Sequence, residues 1–173
     1  MENNPTILTV VALALMDATG RVLMQQRPVH RAHGGLWEFP GGKVEAGEGP
    51  SAALVREISE ELGLSVAPGD LFPISFAAHE PTGEAQIAER PLVLLLYGCR
   101  HWQGTPVCEP GAALVWATPD KLAKLPMPPL DRPLLAALTA QETARSKSTL
   151  KIMAQNDLPS SGRAPNGASP MHP

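Results

Sequence analysis

Residues 42–64 read GKVEAGEGPSAALVREISEELGL, and the whole fold can be argued outward from them. Pro50 suits the first turn of a helix, where its missing N–H would have no partner anyway. Gly49 then stands at the cap, and Gly63 is a C-terminal stop. Between them Val55, Ile58 and Leu62 follow i, i+3, i+7 spacing and predict the inward face. At about 100° per residue, Glu57, Glu60 and Glu61 share an arc away from the Val55/Leu62 stripe. Like charges three and four residues apart cost a few tenths of a kcal/mol per pair, so a helix that carries them points to a cation. Clustered carboxylate oxygens suit a hard divalent ion such as Mg²⁺. Arg56 can orient or neutralise one of them. Taken alone, REISEEL also reads as an ordinary solvated Glu/Arg face, with Arg56 and Glu60 as an i, i+4 pair.

Before this stretch, residues 6–16 (TILTVVALALM) are apolar and β-branched and read as a buried strand. Residues 17–20 are a turn, and residues 21–26 (RVLMQQ) a second strand, so the two are expected to form a hairpin. Residues 29–35 are a polar loop in which His30, Arg31 and His33 are possible anion contacts or solvated side chains. In LWEFPGG, the double glycine Gly41-Gly42 lets the backbone approach a ligand closely.

After the helix, residues 71–79 read as a strand whose Pro73 places its start on an edge or a bulge. Residues 80–90 read as a polar hairpin loop. Residues 91–102 (PLVLLLYGCRHW) are the most apolar run and a central strand. A Pro/Gly loop with Glu109 leads to a strand over 112–118, a short helix from Pro119, and a helix over 130–140 with Pro133 in its first turn. From 141 the pattern stops. The expected domain is 5–141, followed by a tail over 142–173, rich in Ser, Pro, Gly and Asn from 148, that reads as disordered, with a frayed helical piece before it as the alternative for its start.

With 173 residues the chain can bury a real core. A net charge of −3 and few aromatic residues give no support for stable nucleic-acid binding. Cys99 and Cys108 lack metal-like spacing and read as reduced thiols of a cytoplasmic protein. There is no signal peptide, and no apolar run is long enough to span a bilayer. Strands, helix, strands and helix in this order fit a mixed sheet with helices on its faces.

The run 42–64 matches G-x5-E-x7-R-E-U-x-E-E-x-G-U, with U aliphatic, at every specified position. That is the Nudix box, and the chain resembles a Nudix hydrolase. LMQQRP, LWEFPGGKVEAGE, GCRHWQGTPVCEPG and LPMPPLDRPLL look like the MutT branch. The resemblance implies an α/β fold, the Nudix α/β/α sandwich. It implies hydrolysis of a nucleoside triphosphate to monophosphate and pyrophosphate with Mg²⁺ or Mn²⁺, by a monomer or weak homodimer.

By motif position, Glu57, Glu60, Glu61 and the Gly41 carbonyl would hold metal, and Glu57 could activate water. Arg56 would orient its neighbours, Glu48 would support them, and Lys43 would meet phosphate. Glu109 is the acidic residue of the loop that supplies a further carboxylate in MutT, although that loop looks shorter here; otherwise it is a surface glutamate. Arg27 has the spacing to Glu38 of MutT's substrate-contacting arginine, and Phe39 would line the base pocket. Asp131 stands where MutT has an asparagine that reads 8-oxoguanine. An amide donates and accepts, whereas a carboxylate only accepts, and CTP-preferring relatives carry Asp in this segment. 8-oxo-dGTP is therefore the leading substrate and (d)CTP or a modified pyrimidine nucleotide the alternative. Asp131 could also serve only as a charge at a helix N-terminus. A nucleotide sensor without turnover and a glycosylase accessory domain of similar fold are the competing readings; an intact box argues against the first, and the absence of a partner domain against the second.

Overall fold

A computed structural model of the chain describes residues 7–30, 33–79 and 90–156, with side chains as far as 153. Arg31, the loop over 80–89 and the tail beyond 156 lie outside the described residues. The chain divides into two units, Met1–Gln141 and Glu142–Pro173.

The first unit is built around β1 (Leu8–Leu15). Its alternation sends Val11, Leu13 and Leu15 to one core and Ala12 and Ala14 to another, and all five are buried. β1 therefore lies inside a four-stranded sheet covered on both faces. The order is β4 (Gly41–Lys43), β1, β6 (Leu92–Cys99), β5 (Phe72–His79), with β1 and β6 parallel and the other pairs antiparallel. The central position of β6 and the irregularity beside Pro73 on edge strand β5 agree with the sequence reading.

A second, antiparallel sheet has the order β3 (Trp37–Glu38), β2 (Val22–Gln26), β7 (Ala113–Ala117). The hairpin expected from β1 and β2 does not form. A single bridge, Met16 to Val22, closes the turn, and then each strand enters a different sheet. Alternation and a turn signal specify two strands and a reversal, but the partner of each strand is decided elsewhere in the chain. WEFPGGK is the stitch between the sheets. β3 pairs with β2, β4 pairs with β1, and the Pro40 carbonyl between them accepts the Leu13 N–H at 2.9 Å.

Helix α1 (Pro50–Leu62) starts after Gly49 and ends at Gly63, which is left-handed at φ 64°, as the sequence predicts. Its buried face is Ala53, Leu54, Ile58 and Leu62, whereas Val55 is only half-buried. The inward stripe thus runs i, i+4, i+8 from Leu54. It packs against Val11, Leu13 and Leu15. On the opposite face of β1, Leu134, Leu135 and Leu138 of α3 (Asp131–Asn156) join Leu122 of α2 (Pro119–Leu122). The result is the expected α/β architecture with helices on both faces, although the strands form two sheets.

α3 does not stop near residue 140. It continues to Asn156, so the part of the expected tail over 142–156 is helical. No Gly or Pro interrupts residues 134–158, and Ala144, Lys147, Leu150 and Lys151 are good helix formers. The loss of apolar periodicity marks where core packing ends, not where the helix ends.

Candidate active site

A cavity of about 760 Å³ opens where the two sheets part. Its wall brings together Arg27, Phe39, Gly41, Lys43, Glu57, Glu60, Glu61, Glu109 and Asp131. These are the site residues expected from the sequence, apart from Arg56, which stands behind the wall. Neither His30 nor His33 lines it among the described residues.

Part of this wall is the acidic side of α1. Arg56 is its organiser. Its Nη2 donates to Glu48 Oε1 at 2.6 Å and to the Lys43 carbonyl at 3.2 Å, and its Nε donates to Glu48 Oε2 at 3.3 Å. Its Nη1 donates to Glu57 Oε1 at 3.0 Å and to Glu60 Oε2 at 3.3 Å. The hydrogen bonds from Arg56 hold the Glu48 carboxyl below its ordinary range. The same bonds, to Glu48 first and Glu57 second, hold the guanidinium further in its charged form.

Glu61 is held differently. Its Oε2 accepts from Gln25 Nε2 at 3.2 Å and from the Gly41 N–H at 3.3 Å. Burial pushes its carboxyl pKa up, with smaller upward contributions from the Glu57 and Glu38 charges.

The glycines are needed for close approach. A side chain on Gly42 would overlap the Glu57 carboxyl, and one on Gly41, at φ 152°, would run into the Val11 carbonyl.

Oxygen donors of three carboxylates and the Gly41 backbone on one wall fit a hard divalent cation in kind. Among the described residues, no group of three acidic, histidine or cysteine side chains stands in a ready metal-ligand arrangement. Glu57 and Glu60 are engaged with Arg56, and Glu61 with Gln25. Glu109 is exposed at the rim, and its backbone carbonyl accepts the Ala112 N–H at 3.1 Å.

On the same wall, Asp131 is the buried charged residue among the described residues, 5 % exposed. Its Oδ1 accepts the Phe39 N–H at 3.0 Å. Burial raises its pKa to about 7; the Phe39 bond opposes the shift, and the nearby Glu38 charge adds to it. The Phe39 ring is 4 % exposed and belongs to the core as well as to the cavity wall. Arg27 Nη1 donates to both oxygens of Glu38, at 3.0 and 2.9 Å. Burial raises the Glu38 pKa against that pull. The Arg27 Nε is buried without a hydrogen-bond partner.

Gln25 and Glu38 were not singled out as site residues from the sequence. The available signal was weak: Gln25 follows Val22, Leu23 and Met24, all fully buried, in a strand that should be apolar. Cys99 and Cys108 are free thiols, as expected. No helix among the described residues is long and apolar enough to cross a membrane.

The chain matches the NUDIX domain family over residues 5–138. It is 36% identical over 135 residues to a CTP pyrophosphohydrolase of Escherichia coli strain K12, covering 78% of this chain and 94% of that protein. It is 37% identical over 131 residues to a putative 8-oxo-dGTP diphosphatase 2 of Mycobacterium tuberculosis strain CDC 1551 / Oshkosh, covering 76% and 86%. Its fold is similar to the crystal structure of the MutT NUDIX hydrolase from Burkholderia pseudomallei, with a TM-score of 0.65 and 28% identity, covering 76% of this chain and 98% of that one. Enzymes of this kind act on nucleotides with a divalent metal. The complete box on a capped helix, the two-sided core and this match over most of its length make the chain a member of the Nudix hydrolase family.

Proposed function

We propose that the chain is a Mg²⁺-dependent nucleoside triphosphate pyrophosphohydrolase, releasing monophosphate and pyrophosphate, that removes 8-oxo-dGTP before DNA replication can use it. The observation that carries this reading is a single cavity whose wall joins Glu57, Glu60 and Glu61 to Arg27, Phe39 and Asp131. The first group suits the metal-bound triphosphate and the second the nucleoside.

Cleaving a phosphoanhydride asks mainly for charge neutralisation and in-line placement of water. A bound Mg²⁺, or Mn²⁺ in its place, neutralises phosphate charge and activates water. Glu57, Glu60, Glu61 and the Gly41 carbonyl are its ligands in this reading, with Glu109 joining from the rim. Glu57 or Glu109 takes the proton from the attacking water. Arg56, braced by Glu48, sets the direction of Glu57 and Glu60. Lys43 meets phosphate, Arg27 holds the substrate, and Phe39 backs the base.

A second reading, (d)CTP or a modified pyrimidine nucleotide, is favoured by Asp131. As a carboxylate it accepts from the exocyclic amine of cytosine, and a CTP pyrophosphohydrolase is among the relatives.

The test is a nucleotide panel with Mg²⁺, products resolved: 8-oxo-dGTP, dGTP, CTP, 5-methyl-dCTP and ADP-ribose. Monophosphate and pyrophosphate, formed fastest from 8-oxo-dGTP, is the expected result, and EDTA abolishes it. Preference for cytosine nucleotides moves the assignment to the second reading. Turnover of ADP-ribose alone rejects both. The reading takes the protein to be cytoplasmic and a monomer or weak homodimer, the latter checked by light scattering at assay concentration.

A further inference from the structure

Gln25 lies on β2 and faces Glu38 across the β2–β3 pair. Its Nε2 donates to Glu61 Oε2 at 3.2 Å. A carboxylate accepts only, so this contact assigns the NH2 end of the amide to Glu61. The Gly41 N–H reaches the same Glu61 oxygen at 3.3 Å. Both donors therefore address Oε2, and neither takes Oε1. The Gln25–Glu61 bond thus ties the three-stranded sheet to α1.

We propose that Gln25 is a positioning residue: by holding Glu61 Oε2, together with the Gly41 N–H, it leaves Oε1 for the divalent ion. This rests on the reading of Glu61 as a metal ligand. Partners that orient a metal ligand are worth about 10–100-fold in metal affinity when removed.

The experiment measures Mn²⁺ dissociation constants without nucleotide, from the electron paramagnetic resonance signal of free Mn²⁺. The proteins are wild type, Glu61→Gln and Gln25→Met, which keeps the length of the side chain and loses the amide donor. Melting temperatures in EDTA check the fold, and Gln25→Leu, also without donors, replaces the Met variant if that variant does not fold. The expected result is Mn²⁺ binding weakened about 10-fold or more in the Gln25 variant, and raising Mn²⁺ should recover kcat.

If Glu61→Gln weakens Mn²⁺ binding and the Gln25 variant binds as wild type does, the positioning role is wrong while the metal reading stands. If Glu61→Gln itself binds Mn²⁺ normally, the ligand reading fails and takes the Gln25 role with it.

Discussion

Asp131 has two possible lives, set by one proton. With a pKa of about 7 it is shared between a carboxylate that only accepts and a carboxyl that can also donate. Its folded pKa lies above the usual 3.8, so its contribution to stability is fully present below about pH 4 and is lost as the pH rises through 7. The upper bound is on the order of 4 kcal/mol, from three pKa units at about 1.4 kcal/mol each. Asp131→Asn keeps an oxygen to accept the Phe39 N–H and removes the titration. Its melting temperature should exceed that of wild type at pH 8 and approach it at pH 5, and its activity ratio should shift from CTP towards 8-oxo-dGTP. A wild-type melting temperature that is flat from pH 5 to 8 would contradict the buried, titrating carboxyl. Glu57→Gln should lower kcat by about 100-fold or more with little change in melting temperature; near-normal turnover would remove Glu57 from the chemistry. None of this partnership was visible in the sequence. DRP shows an acid at the start of a helix; only the fold brings Phe39, 92 positions away, to its oxygen.

At the scale of elements, α1 was almost wholly legible. Pro50 and Gly63 mark its ends because the constraints are local: a ring that needs no N–H partner and a residue that accepts φ 64°. Its inward stripe was read one residue off, since Val55 and Leu54 are both apolar and only β1 decides which of them it covers. Ile58→Ala should cost about 2–5 kcal/mol, read as a lower denaturation midpoint, because the side chain is fully buried against β1. Gly42 on β4 offers a test of a different kind. Gly42→Ala places a methyl where the Glu57 carboxyl lies. Activity should fall by an order of magnitude or more through displacement of Glu57 while the melting temperature changes little, and unchanged kinetics would show that Glu57 has room to move.

At the scale of the molecule, both cores and the cavity draw, among the described residues, only on those up to Leu138. A chain ending at Gln141 is therefore expected to keep the melting temperature and the nucleotide turnover of the full chain. Loss of either would give residues 142–173 a part in the catalytic domain.

The box, the ends of α1, five of the seven strands and the acidic side chains of the catalytic helix were written in the sequence by itself, because periodicity, caps and motif spacing act over a few residues. Strand partners, the split into two sheets, the continuation of α3, the buried Asp131 and the Arg27–Glu38 and Gln25–Glu61 contacts were decided only by tertiary structure. Each of those depends on which surfaces exclude water together, and that is a property of residues far apart in the chain.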